Sequence, residues 1–202
     1  MNPRRPSAPP LVPRIIALAD GRRWLRVADT AWRDPLDPSH AARLGGRWNP
    51  PDSFPTLYLN ADLATAQGQI ERLLAGQPVR PEDLDDPPWV LIAATLPVRQ
   101  RAADAVTDDG LRVLGLPVSY PLDADERPVP HAPCQAIGAA IHAAALDGIL
   151  ARSAVTLDGT GRELAWFPRG RARARRAARP VPFARWWHAR GEEELFGEGG
   201  RR

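Results

Sequence analysis

The residues best suited to chemistry stand in the block Gly45-Gly46-Arg47-Trp48-Asn49-Pro50-Pro51. Its two glycines let the backbone adopt positive φ angles and approach a ligand closely, and its prolines restrict the chain that follows. A guanidinium held on such a turn is suited to grip a phosphate or carboxylate through two parallel hydrogen bonds. The alternative is a surface turn whose Trp48 fills the core, and a short motif alone does not decide between the two.

Four more residues complete the candidate site around Arg47: Arg26, Tyr58, Glu71 and Ser153. Such a set suits attack at the anomeric carbon of a sugar that carries a good leaving group. A carboxylate can stabilise oxocarbenium charge, while arginines hold a pyrophosphate and a tyrosine stacks on a base. Each residue alone also has a structural explanation, as an exposed arginine, a core tyrosine, a solvated glutamate or a turn serine.

Several other chemistries lack the residues that they require. All 27 residues counted as Lys or Arg are arginines, so mechanisms that depend on lysine are excluded. The chain has no dinucleotide-binding, Walker, nucleophile-elbow or zinc-protease motif, and its four histidines show no metal-ligand spacing, so we expect no metal site. His131 and Cys134 could form a thiolate pair, although a lone cysteine in an apolar helix more often packs in the core.

Composition indicates one globular domain of 202 residues, 44% of them apolar. The single cysteine excludes an internal disulfide. No apolar run approaches the roughly 20 residues that cross a membrane, and the first residues lack the apolar core of a signal peptide. These features predict a cytoplasmic protein without membrane contact.

Positive charge is concentrated in residues 169–190, which hold eight arginines and no acidic residue. The rest of the chain carries 19 arginines and 24 acidic residues, so it is net acidic. An arginine-rich segment of this kind can bind nucleic acid, dock an acidic partner protein or form a solvated surface. The sequence leaves these three interpretations open.

Periodicity predicts the elements that must position the candidate residues. Strands are predicted at 23–27, 56–59, 89–96, 148–153 and 163–167, and helices at 61–76 and 131–146. Asn60 is predicted to cap the first helix, and Glu71 lies at the border of its apolar stripe, with Gln67 one turn earlier. Short strands mixed with two helices indicate an α+β fold. The predicted organisation is a flexible proline-rich arm at 1–20, a domain at 21–190 and a polar tail at 191–202.

The order of these segments resembles the RES-domain family over about residues 22–168. The segments that carry the resemblance are Arg26 in a first strand, the 45–51 block, Leu57-Tyr58-Leu59, the helix with Glu71, Gln135–Gly138 and Gly148–Ser153. The family takes its name from an arginine, a glutamate and a serine, which Arg47, Glu71 and Ser153 match here.

The resemblance implies a fold similar to ADP-ribosyltransferases, with mixed sheets and a few flanking helices. It implies the toxin of a type II toxin–antitoxin pair, neutralised by an Xre-like helix-turn-helix antitoxin through which any contact with DNA would be made. NAD⁺ would be a substrate and not a prosthetic group. The toxin would consume it by phosphorolysis or hydrolysis of the nicotinamide–ribose bond, or would transfer ADP-ribose to a cellular protein.

The resemblance also implies roles for the candidate residues. Arg26 and Arg47 would bind the phosphates, and Tyr58 would face the nicotinamide. Glu71 would stabilise the ribosyl oxocarbenium, and Ser153 would hydrogen-bond the nicotinamide or its ribose, so that Glu71, Arg47 and Ser153 form the catalytic set. A different class of function stays open at this point: a nucleic-acid-binding or regulatory module that uses residues 169–190.

Overall fold

Nine strands and six α-helices form an α+β fold in the computed structural model, which describes residues 11–85 and 87–197. The strands are β1 (Ile15–Ala17), β2 (Trp24–Asp29), β3 (Leu57–Asn60), β4 (Trp89–Thr95), β5 (Arg101–Ala105), β6 (Gly148–Arg152), β7 (Arg162–Trp166), β8 (Arg175–Arg176) and β9 (Val181–Pro182). The helices are α1 (Ser39–Leu44), α2 (Leu63–Leu74), α3 (Asp108–Val113), α4 (His131–Ala143), α5 (Phe183–Trp186) and α6 (Glu192–Phe196). The predicted fold class is confirmed.

The strands pair into one mixed sheet in the order β1-β5-β6-β7-β3-β2-β4-β8, and β9 also pairs with β4. Only β5 and β6 are parallel among the described pairs. Within that part of the chain, β2 and β3 share a single register pair, Leu25 with Asn60. The sheet is therefore weakly joined between β2 and β3, the two strands that carry Arg26 and Tyr58.

Side chains alternate along β3 as the sequence predicts. Leu57 and Leu59 are fully buried in an apolar cluster that also holds Trp166. Tyr58 points the other way and packs against a second cluster, which contains Trp48. A third cluster joins α2 to α5. This alternation leaves the Tyr58 side of β3 for the site.

The predicted strands and helices are present, and no end differs by more than three residues. The N-cap of α2 is Asp62 and not Asn60: the Asp62 carboxylate accepts a 2.7 Å hydrogen bond from the Thr65 amide. Asn60 instead ends β3. Helix α1 lies between the predicted strands at 23–27 and 56–59, where no helix was predicted.

Both chain ends contribute more structure than the sequence indicates. Ile15–Ala17, assigned to the flexible arm, form edge strand β1 on β5, and residues 1–10 lie outside the described part of the chain. Leu195, assigned to the polar tail, is buried on α6. Strand β5 was not predicted because its alanines have low β-propensity, and it forms by pairing with both β1 and β6.

The arginine-rich segment is built into the sheet through β8 and β9, which pair with β4. Seven of its eight arginines are exposed. The eighth, Arg169, donates to the carbonyl oxygens of His142 and Leu146. Among the described residues, no helix has the length and apolar character needed to span a membrane.

Candidate active site

A cavity of about 370 Å³ gathers polar side chains from β2, β3, the 45–51 block, α2 and β7. Its polar lining includes Arg26, Arg47, Tyr58, Asn60, Gln69 and Glu163. Cavities of this size hold small-molecule ligands in many proteins. Three of the five predicted site residues, Arg26, Arg47 and Tyr58, therefore line one cavity.

The turn that carries Arg47 requires both of its glycines. Gly45 has a φ of +74°, a conformation that side chains disfavour. A Cβ on Gly46 would lie 2.5 Å from the Tyr58 hydroxyl oxygen. The Gly46 amide donates to the Asn49 carbonyl at 2.9 Å, which closes the turn, and Gln135 Nε2 on α4 donates to the Gly46 carbonyl at 2.9 Å.

Tyr58 braces this turn. Its hydroxyl donates to Asn49 Oδ1 at 2.8 Å and accepts from the Trp48 amide at 2.8 Å. Burial raises the pKa of Tyr58 far above its usual range, so the phenol stays neutral. The hydroxyl already serves the turn, so the ring is the part of Tyr58 that remains for a ligand in the cavity.

Replacement of Gly46 by alanine should destabilise the fold by roughly 1–3 kcal/mol, because the new methyl group must displace the Tyr58 hydroxyl. Thermal unfolding measures this loss. Gly191→Ala is the matched control, since that glycine has extended backbone and open space around its Cβ position. Equal melting temperatures for the two variants would show that Tyr58 does not hold the turn.

The two cavity arginines differ in how the protein holds them. Arg47 Nη1 donates to the Val129 carbonyl at 2.8 Å, and the positive charge of Arg47 opposes the rise that burial causes in the pKa values of Tyr120 and Cys134. Arg26 is largely buried, and its Nη1 has no hydrogen-bond partner among the described residues. Burial lowers the pKa of Arg26 to about 10, although the charges of Asp34 and Asp37 oppose this change. Arg26 therefore stays charged at neutral pH and can donate to an anion.

Glu163 is the carboxylate of the cavity. It is 9% exposed, and Ser153 Oγ donates to its Oε2 at 3.2 Å. Burial raises the pKa of Glu163, while the charge of Arg47 and the Ser153 hydroxyl act in the opposite direction. Ser153 is itself fully buried and does not line the cavity, so it touches Glu163 from behind.

Helix α2 presents Gln69 to the cavity, and Glu71 is exposed outside the lining. At about 100° per residue, positions two apart on a helix point about 200° apart. Gln69 Oε1 accepts a 3.1 Å hydrogen bond from Asn60 Nδ2. Gln67 lies elsewhere and donates to the Trp187 carbonyl at 2.9 Å. The structure therefore does not bring Glu71 to Arg47.

Four polar residues of the lining were not among the predicted site residues: His40, Asn60, Gln69 and Glu163. A signal for Glu163 exists, because it precedes the apolar run 164–167 on a predicted strand. An acidic residue is seldom buried without a partner or a task. Asn60 was predicted to cap the helix at 61–76, and nothing in the sequence indicated that Gln69 on that helix would face a cavity.

Cys134 is fully buried on α4, and burial raises the pKa of its thiol. The thiol is therefore protonated at neutral pH, which does not favour the thiolate pair with His131. Among the residues that the structure describes, no group of three His, Cys, Asp or Glu side chains is placed to hold a metal ion.

Comparisons with known proteins agree with this architecture. The sequence matches the RES domain family over residues 12–188. The fold is similar to that of a chain in the crystal structure of the M. tuberculosis MbcT–MbcA toxin–antitoxin complex, with a TM-score of 0.61 and 23% identity. The similarity covers 85% of this chain and 89% of that chain. No curated protein matches the sequence significantly.

Proposed function

This chain belongs to the RES-domain family, and on that premise we propose that it is a toxin that consumes NAD⁺ by cleaving the nicotinamide–ribose bond. The observation that carries the proposal is that two arginines and a buried carboxylate line one cavity. Cations for a pyrophosphate and an anion for a ribosyl cation are the two charges that this reaction needs.

The arginines supply binding of the phosphates. Arg26 has a buried Nη1 without a partner among the described residues, and a phosphate oxygen would satisfy this donor. Arg47 stands on a rigid turn, and its planar guanidinium can donate two parallel hydrogen bonds to phosphate oxygens. The pyrophosphate of NAD⁺ would lie between these two side chains, with the nicotinamide toward the Tyr58 ring.

Cleavage breaks the bond between the nicotinamide nitrogen and the anomeric carbon. The electron pair passes to the nitrogen and cancels its positive charge, and the ribosyl carbon becomes electron-poor. Phosphate or water then bonds to this carbon, and water releases one proton. The products are nicotinamide and either ADP-ribose phosphate or ADP-ribose. An anion in a site shielded from water stabilises the cationic stage.

A neutralising partner follows from the proposed activity, because an enzyme that drains NAD⁺ harms the cell that makes it. The similar structure is that of a toxin–antitoxin complex, and we extend this arrangement to an Xre-like antitoxin for the present chain, acting in the cytoplasm. The exposed arginines of residues 169–190 are a candidate docking surface, since complementary charge speeds association. Expression of the chain alone should arrest growth, and the antitoxin should restore it.

Mass spectrometry of products tests the activity and identifies the acceptor. The full chain is incubated with NAD⁺ in three arms: buffer alone, inorganic phosphate, and cell lysate. ADP-ribose phosphate indicates phosphorolysis, ADP-ribose indicates hydrolysis, and ADP-ribosylated protein indicates the alternative of mono-ADP-ribosyl transfer. NAD⁺ left intact in all arms, together with salt-sensitive nucleic-acid binding through residues 169–190, would instead favour a regulatory module.

A further inference from the structure

The proposed reaction needs a negative charge beside the anomeric carbon, and the cavity wall decides which residue can supply it. On α2 the cavity meets the amide of Gln69, which is hydrogen-bonded to Asn60 and carries no charge. On β7 it meets Glu163, the only carboxylate among the described residues of the lining. A cation in the cavity would therefore meet a neutral amide on the α2 side and a carboxylate on the β7 side.

Strand alternation fixes the direction of Glu163. Leu164 and Trp166 lie in the apolar cluster on the opposite face of β7, and Ala165 packs with Trp48 on the cavity face. Glu163 shares the face of Ala165 and stands opposite Asn60 in the register of β3 and β7. The carboxylate is thus held by the sheet itself, which is more rigid than a loop.

Resting on the proposed function, we propose that Glu163 is the catalytic carboxylate that stabilises the ribosyl cation and that Ser153 is its positioning residue. No ion pair joins Glu163 to a basic side chain in the described part of the chain. Arg47 therefore acts on Glu163 through its charge and not through a direct ion pair. Ser153 Oγ donates to Oε2 at 3.2 Å and so fixes the carboxylate from the side away from the cavity that Glu163 lines.

Glu71 does not fit this role. Its side chain is exposed, and water at the surface weakens the attraction between a carboxylate and a cation several-fold relative to the interior. To reach the cavity it would need to replace Gln69, about half a turn around the helix. In the reaction, Glu163 stays ionised while the electron pair of the broken bond leaves with nicotinamide, and no bond to Glu163 forms.

The matched test compares NAD⁺ turnover in the Glu163→Gln and Glu71→Gln variants. Each substitution removes one carboxylate with almost no change of side-chain size. We expect Glu163→Gln to lose about 10²-fold or more in kcat with a small change in KM. Glu71→Gln should keep wild-type kcat. Glu163→Asp, which keeps the charge on a shorter side chain, should recover part of the loss. Thermal unfolding verifies that each variant is folded.

Ser153→Ala separates positioning from a structural role through the pH profile of kcat. The groups that interact electrostatically with Glu163 are Arg47, Tyr58, Tyr120 and Cys134. Loss of the Ser153 hydroxyl removes a hydrogen bond that lowers the pKa of Glu163. Since the ionised carboxylate is the active form, activity rises with pH as Glu163 loses its proton. The acidic limb of the profile should therefore move to higher pH in Ser153→Ala.

The outcomes separate this inference from the proposed function. If expression of Glu71→Gln arrests growth and expression of Glu163→Gln does not, the result supports Glu163 as the catalytic carboxylate in cells. Wild-type turnover in Glu163→Gln, or its loss in a folded Glu71→Gln, would overturn the assignment while the NAD⁺-consuming function stands. A folded wild type that neither consumes NAD⁺ nor arrests growth would overturn both. If the acidic limb of the kcat profile stays at the wild-type pH in Ser153→Ala, Ser153 does not position Glu163 and its role is structural only.

Discussion

Arg47→Lys should weaken NAD⁺ binding about tenfold or more while thermal stability changes little. Lysine keeps the positive charge but loses the planar fork that grips two phosphate oxygens. Its donors stand on one nitrogen, whereas arginine can give Nη1 to the Val129 carbonyl and its other nitrogens to phosphate. Calorimetric titration with NAD⁺ measures the change, and a tenfold loss corresponds to about 1.4 kcal/mol.

Arg43→Lys is the control for this substitution, because Arg43 lies on the neighbouring helix α1 but outside the cavity lining. It should bind NAD⁺ as the wild type does. Unchanged affinity in Arg47→Lys, or a loss of stability as its main effect, would assign the 45–51 block to structure alone.

Arg26→Met should weaken NAD⁺ binding between about tenfold and about a hundredfold and leave the fold as stable as before or more stable. The native guanidinium is buried, and one of its nitrogens has no partner among the described residues. Removing this charge from water costs free energy, and an uncharged methionine at the same place avoids that cost. We therefore expect this charge to serve a ligand. Titration and thermal unfolding measure the two effects together.

Arg33→Met removes an exposed arginine from the loop that follows β2 and should change neither quantity. A large fall in melting temperature for Arg26→Met would contradict the interpretation, since it would show that Arg26 supports the fold through Asp34 and Asp37. Equal affinity for NAD⁺ would show that Arg26 does not face the phosphates.

Local rules of the chain were sufficient to predict the turn that holds Arg47. Two adjacent glycines before an arginine and two prolines indicate an unusual backbone, and the structure assigns each glycine a reason: positive φ at Gly45 and contact with Tyr58 at Gly46. Alternation likewise predicted the opposite directions of Tyr58 and its neighbours on β3. Such features depend on residues that are close in sequence, so they can be predicted from one sequence alone.

The carboxylate of the site could not be predicted in the same way. Helix α2 has an apolar stripe whose border contains Glu71, and a border position leaves open which side meets a cavity. That choice depends on the sheet against which Ile70 packs, and so on contacts distant in sequence. Glu163 stands about 90 residues further along the chain, on a strand that only the sheet order places beside Asn60.

The arginine-rich segment shows the same limit. Its charge left open whether it binds nucleic acid, docks a partner or forms a solvated surface, and it did not indicate that Trp186 is fully buried or that β9 pairs with β4. The charge of a segment indicates whether it is exposed to solvent or binds a charged partner. It does not indicate which distant strand the segment pairs with. The exposed arginines thus stand on an integral part of the fold.

Release of nicotinamide from NAD⁺ by the purified full chain tests the central claim most directly, with Arg26→Met/Arg47→Lys measured beside the wild type. The claim predicts that the wild type releases one nicotinamide for each NAD⁺ consumed, in phosphate or in plain buffer or on addition of lysate. The folded double variant should release none above background. Intact NAD⁺ with the folded wild type in every condition, or equal release by the double variant, would contradict it.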